Sequence, residues 1–316
     1  MDLQKILRNI RKADQDYNLI QDGDCIAVGV SGGKDSMVLL CALHMYSKFE
    51  GKNFSVVGIN IKLGFPNMDF QHVITFCKDQ GIEFHQFDSQ VYEILKRNPD
   101  KEGNIKCSLC SKFKKATVND AAKSLGCNKV AFGHHSDDAV ETLMMNAIYG
   151  GKLATFLPMM YLSKANITFI RPLIYCYESD ILATLRKNNI PFVPSTCPND
   201  GNTQRQSMKD MLKKLYKEYP MAKHNFLTML HNQEQLDLWH PIRNEEKIKD
   251  KDKQAEVLLD INGEKIAQRG NSYFFVYTPK EEPNQQRHMK IANEDAWAVL
   301  DGTNDIQSIK EKYLAN

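Results

Sequence analysis

The chain has 316 residues, 42% of them apolar and 25% charged, enough to bury the core of one large domain with a smaller appendage. Its net charge of +2 is close to neutral and by itself neither selects nor excludes a nucleic-acid partner. No apolar run approaches a membrane span, and residues 1–17 lack the apolar stretch that directs export, so the expectation is a cytoplasmic protein with no membrane partner.

The first apolar run, Cys25 to Val30, ends at Ser31-Gly32-Gly33 and is followed by a helical pattern from Met37 to Met45, which predicts strand, glycine turn, helix. The alternation continues. Strands are expected over 54–61, 83–87, 130–132 and 167–170, with helices over 69–80, 89–96, 112–125, 137–149 and 178–188. Strands apolar on both sides, separated by helices, predict an α/β fold whose parallel sheet carries helices on both faces. Helices over 204–219 and 221–238, split at Pro220, complete a first domain placed at 1–240. The charge run 245–253 reads as a linker. Beyond it, strands at 256–261 and 264–267 about Asn262-Gly263, a third at 273–278 and a helix at 306–313 predict a small β-rich C-terminal domain over 250–316.

Ser31-Gly32-Gly33-Lys34-Asp35-Ser36 is the strongest local signal. Two glycines let backbone N–H groups approach a ligand, Ser31 and Ser36 add hydroxyls, Lys34 adds charge, and the following helix offers its free N–H groups to anionic oxygen. The pattern suits a phosphate or pyrophosphate, and its spacing is not that of a Walker A loop. A second stretch, Gly133-His134-His135-Ser136-Asp137-Asp138, follows a strand and precedes Glu141 and Thr142 on a helix. Strand ends of a parallel sheet gather at one edge, so this loop can face the glycine turn, and carboxylates there suit a hard cation such as Mg²⁺ between them and a polyphosphate.

Of eight cysteines, Cys25, Cys41, Cys77 and Cys176 read as small buried residues. Cys107 and Cys110 form a CxxC pair that is a redox couple, half of a zinc site, or two members of a three-thiolate set with Cys197. Lys106, Lys112, Lys114 and Lys115 favour thiolates there. Basic residues from Arg205 to Lys223 supply a local surface for phosphates, and Arg171, Lys209, Lys213 and Lys214 are the expected phosphate contacts, with Arg205 bracing the active-site loop.

SGGKDS after a first strand resembles the signature of the PP-loop ATP pyrophosphatase superfamily, with its adenine nucleotide alpha hydrolase-like fold. CSLCSKFKK at 107–115, GHHSDDAVETLMMNAIYGGKL at 133–153, IRPLIY at 170–175, the stretch 190–212 and LGFP at 63–66 together resemble the tRNA 2-thiocytidine synthetases within it. That resemblance implies ATP binding by Ser31, Gly32, Gly33, Lys34, Asp35, Ser36, Gly133 and His134, with Asp35 a candidate Mg²⁺ ligand. It implies a [4Fe–4S] cluster on Cys107, Cys110 and Cys197, and catalytic roles for Lys34, Asp35, Asp137 and Asp138 beside those cysteines. The implied activity is ATP- and Mg²⁺-dependent thiolation of a tRNA pyrimidine, most directly C2 of cytidine, through an adenylated base. A cysteine desulfurase or free sulfide is the implied sulfur donor, and a homodimer a possible assembly. Thiolation of a uridine or a small molecule, sulfur-free chemistry such as lysidine synthesis, and a nucleotide-binding iron–sulfur RNA regulator are the alternatives. The resemblance ends near Leu238, leaving the C-terminal domain without a role.

Overall fold

The structure, a computed structural model, describes residues 2–49, 51–64, 68–99, 105, 107–194, 196, 204–232, 256–269, 272–279 and 285–314; of Cys107, Ser108, Glu256 and Arg269 it describes the backbone alone. The chain divides into two units, Met1–Leu236 and Asp237–Asn316. No helix among the described residues is long and apolar enough to cross a membrane.

The first unit is built on a six-stranded sheet of order β3-β2-β1-β4-β6-β5. β1 (Cys25–Gly29), β2 (Ser55–Lys62), β3 (Glu83–Asp88), β4 (Lys129–Ala131) and β6 (Ile167–Ile170) run parallel, and β5 (Met159–Leu162) pairs antiparallel with β6 at one edge. This is the expected fold: β1 and β4 are buried on both sides, because helices cover both faces. On one face α1 (Gln4–Tyr17), α2 (Lys34–Phe49), α3 (Gln71–Asp79) and α7 (Glu178–Lys187) pack around Ile26, Val28, Leu39 and Ile170. On the other, α5 (Cys107–Ser124) presses Val118, Ala121 and Ala122 against Ala27, Ile59, Val130 and Phe169. α4 (Val91–Lys96) and α6 (Ser136–Gly150) complete the parallel crossovers, and α8 (Gln204–Glu218) and α9 (Ala222–Met229) follow.

Two elements of this unit escape the sequence reading. α1 carries Ile6, Ile10 and Ala13, buried at helical spacing but embedded among charges. β5 is a four-residue edge strand, too short to carry an alternation of its own. α5 also begins earlier than expected, at Cys107 instead of residue 112, so the CxxC pair lies in the first turn of a helix.

The second unit holds a four-stranded antiparallel sheet of order β10-β9-β8-β7. Its strands are β7 (Glu256–Ile261), β8 (Glu264–Arg269), β9 (Ser272–Tyr277) and β10 (Arg287–Ile291). Beside them lie α10 (Asn293–Leu300) and α11 (Ile306–Leu314), which close a core of Ile266, Phe275, Ala296, Val299 and Ile309. Asn262 and Gly263 both take positive φ, 55° and 87°, as a tight hairpin turn requires. The unit is therefore a β-meander capped by two helices; β10 and α10 were not anticipated.

Candidate active site

β1 is hydrogen-bonded to β2 on one side and β4 on the other, so the chain leaves β1 in one direction and reaches β4 in the opposite one. The loops after β1 and β4 meet at that divergence, where doubly wound sheets bind their ligands. The meeting is tight. A Cβ on Gly133 would sit 2.9 Å from Asp35 C and 3.0 Å from Ser36 N, so only glycine lets the second loop lie against the glycine turn. Gly32 has φ of 90°, and a Cβ there would meet Phe70 and Val193 at 2.9 Å. The Gly32 carbonyl accepts a hydrogen bond from Val193 N–H at 2.8 Å, which draws the 190–194 segment onto the same turn.

Between these loops and α5 lies a cavity of about 500 Å³, within the roughly 300–1,000 Å³ typical of small-molecule sites. Ser31, Gly33, Asp35 and Ser36 line it from the glycine turn, and Gly133, His134 and Asp138 from the second loop. α5 contributes Cys110, Lys114 and Val118, four residues apart and hence on one helix face, with Ser111 and Lys115 beside them. Thr196 lines the cavity as well. Cys197, the residue after it, lies outside the described residues, as do Phe65 and Pro66 of the 63–66 stretch. Cys107 stands three positions before Cys110, at the first residue of α5.

Several polar atoms around this cavity are buried without a hydrogen-bond partner among the described residues: Asp35 Oδ1, His134 Nδ1 and Thr196 Oγ1. An orphaned carboxylate oxygen at a phosphate-type turn fits a hard cation, so Asp35 suits Mg²⁺, and Asp138 is the second carboxylate on the cavity. Burial, with Arg171 close by, pushes His134 down to about 4, so its ring is neutral near pH 7. His135 sits buried among three carboxylates, 3.7 Å from Asp35, 3.7 Å from Asp137 and 3.5 Å from Asp138. Among the described residues no three His, Cys, Asp or Glu side chains gather into a metal site; of the three expected cluster cysteines, only the Cys110 side chain is described.

Arg171 and Asp137 are placed otherwise than expected. Arg171 does not reach out for RNA: it is buried, its Nη1 donates to Leu157 O, and its guanidinium lies 5.0 Å from the centre of the Phe156 ring. Asp137 does not line the main cavity. Its carboxylate accepts Glu178 N–H at 2.8 Å and pairs with Lys223 at 2.7 Å, in a second cavity of about 220 Å³ bounded by α6, α7, α8 and α9. Arg205 does brace the second loop, 3.4 Å from Asp138, 3.6 Å from Glu141 and 3.2 Å from Thr142. Burial, reinforced by Asp138, raises Glu141 to about 7 against the downward pull of Arg205.

The sequence reading missed Glu178. Its carboxylate lies 3.1 Å from Lys34 and 2.7 Å from Lys209. The available signal was an acidic residue at the first position of a helix, directly after the 170–175 stretch.

A family model for the PP-loop domain matches residues 3–215. The tRNA-cytidine(32) 2-sulfurtransferase of Geobacter sulfurreducens is 37% identical over 230 residues, spanning 72% of this chain and 89% of that protein. That of Geotalea uraniireducens is 38% identical over 232 residues, spanning 72% and 91%. The chain belongs to the tRNA-cytidine(32) 2-sulfurtransferase family. As a PP-loop member it binds ATP, and the glycine turn lines the cavity at the β1/β4 divergence. The fold is also that of the U34-tRNA thiolase NcsA from Methanococcus maripaludis, solved with its [4Fe–4S] cluster, with a TM-score of 0.59 at 24% identity over 78% of this chain and 81% of that one.

Proposed function

We propose that this member of the 2-sulfurtransferase family thiolates C2 of the cytidine at tRNA position 32 through an adenylated base, with Mg²⁺ and a [4Fe–4S] cluster as cofactors. The observation that carries the reading is one cavity lined by both the glycine turn and Cys110, with Thr196, the neighbour of Cys197, on its wall. Family membership sets the coarser reaction, ATP-dependent sulfur transfer to a tRNA cytidine.

The chemical obstacle is that a pyrimidine carbonyl oxygen is a poor leaving group. Attack by O2 of the base on Pα forms an O–Pα bond and breaks the bond from Pα to the bridging oxygen, releasing pyrophosphate. The backbone N–H groups of the glycine turn, the Ser31 and Ser36 hydroxyls and the Lys34 ammonium stabilise the charge that develops on it. Asp35 and Asp138 would hold the Mg²⁺. Sulfide then forms the C–S bond at C2 as the C–O bond breaks, and AMP leaves with the oxygen. Cys107, Cys110 and Cys197 would hold the cluster, whose contribution is an iron site that no protein thiolate fills, suited to handling sulfide. Phe132 and a neutral His134, ring edge against ring, form part of the cavity wall beside the activated base. The target cytidine must leave its stack to enter, and exposed Lys213 and Lys214 on α8 suit the phosphates around it. The sulfur donor is a cysteine desulfurase or free sulfide.

The test is anaerobic purification with iron and acid-labile sulfide counted, joined to mass analysis of nucleosides from cells lacking the gene. The reading predicts about four irons per chain, lost in Cys197→Ala, and a missing 2-thiocytidine that wild type restores and Cys197→Ala does not. Stoichiometric zinc without labile sulfide, or an unchanged nucleoside profile, contradicts it.

A further inference from the structure

We propose that Glu178 is a positioning residue for this reaction: it holds the Lys34 ammonium at the glycine turn and ties that hold to helix α8 through Lys209. Three segments far apart in the chain converge on it. Its carboxylate receives Lys34 from the turn at 3.1 Å and Lys209 from α8 at 2.7 Å, and its own N–H donates to Asp137 of the second loop at 2.8 Å. All three charged side chains are largely shielded, with 19%, 27% and 29% exposure for Glu178, Lys34 and Lys209.

The charge balance explains why such a group is needed. Among the described residues Lys34 has one other carboxylate partner, its neighbour Asp35, at 3.1 Å through Oδ2. Without Glu178 the ammonium is free to close fully on Asp35 and compete for the oxygen left open to a cation. With Glu178 in place, Lys34 is held between two carboxylates instead of closing on one, and Lys209 offsets the charge that Glu178 brings to the phosphate-binding turn. Burial acts to raise Glu178, but its hydrogen bonds from Lys209 and Lys34 hold it down at about 2, so the carboxylate stays ionised across the working range. Lys209, expected to meet RNA phosphate, is thereby committed to Glu178, and α8 reaches the ATP loop by a two-pair relay.

The inference rests on the reading of Lys34 as a phosphate-stabilising cation, and the experiment separates the two. Full-length enzyme carrying Lys34→Ala, Glu178→Gln, Glu178→Asp, Lys209→Met or the double Lys34→Ala/Glu178→Gln is assayed for tRNA-dependent AMP formation against ATP concentration, for binding of a non-hydrolysable ATP analogue, and for Tm. Glu178→Gln is expected to lower kcat by roughly 10–100-fold, the scale of a misplaced catalytic group. Its KM for ATP and its analogue affinity stay close to wild type, because the Lys34 and Lys209 ammoniums both remain. Glu178→Asp restores part of kcat, Lys209→Met lowers kcat in the same direction but less, and the double variant is no worse than Lys34→Ala. A wild-type kcat in Glu178→Gln overturns the proposal, as do multiplying losses in the double variant or losses across the series that track Tm alone. If Lys34→Ala keeps its kcat, the reading of Lys34 fails instead.

Discussion

Replacing Gly133 by alanine puts a methyl group where the two loops of the site touch. The new carbon would lie 2.9 Å from Asp35 C, 3.0 Å from Ser36 N and 3.1 Å from Asp35 O, all backbone atoms that cannot swing aside as a side chain tip does. Ordinary contact needs several tenths of an ångström more on each, so the loops must part. Forced overpacking of this kind costs about 1–3 kcal/mol, and for a domain of this size each kcal/mol lowers Tm by about 2–4 °C. The same displacement moves the amides that face phosphate, and a shift approaching 1 Å costs on the order of 100-fold in turnover. Gly133→Ala is therefore expected to lose both stability and tRNA-dependent pyrophosphate release. Gly33→Ala serves as the folding control, since its Cβ meets only Ser31 Oγ at 3.5 Å. Scanning calorimetry and a pyrophosphate assay read the two losses; a Gly133→Ala protein with wild-type Tm and turnover refutes the contact argument.

Glu141 makes stability depend on pH in a set direction. Its folded value of about 7 lies above the ordinary 4.5, so between these values the folded protein keeps a proton that the unfolded chain releases. The stabilisation is complete below 4.5 and is lost as pH rises through 7. Glu141→Gln stays neutral, so its Tm advantage over wild type should grow from pH 5 to pH 8; a constant difference contradicts the assignment. The basic residues divide by burial. Lys213→Glu and Lys214→Glu should weaken tRNA binding and reduce its salt slope by about one per neutralised contact. Arg171→Leu should instead lower stability by about 1–3 kcal/mol, leaving Leu157 O without its donor, with the salt slope unchanged.

The sheet was legible because each central strand is a short apolar run ended by turn chemistry, and the glycine turn because six consecutive residues carry its physics locally. α1 was obscured by the charges around its buried stripe, and β5 by its brevity. The early start of α5 was hidden because Cys107, Ser108 and Cys110 give no apolar period to follow. Arg171 misled in another way. Sequence marks an arginine as a surface cation, while the fold buries it against Phe156 and a carbonyl. Glu178 was beyond reach for a topological reason. Its partners Lys34 and Lys209 lie in α2 and α8, and only the folded chain brings the start of α7 between them.

The account turns on nucleotide and cysteine chemistry sharing one chamber, and nucleotide protection of Cys110 tests that most directly. Iron-free protein is alkylated anaerobically with and without a saturating non-hydrolysable ATP analogue, and each cysteine is followed by mass mapping. The account predicts that the analogue sharply slows alkylation of Cys110, while Cys25, half-buried at the opposite end of β1, reacts at an unchanged rate. Equal rates at Cys110 with and without the analogue would place the two chemistries in separate spaces and contradict it.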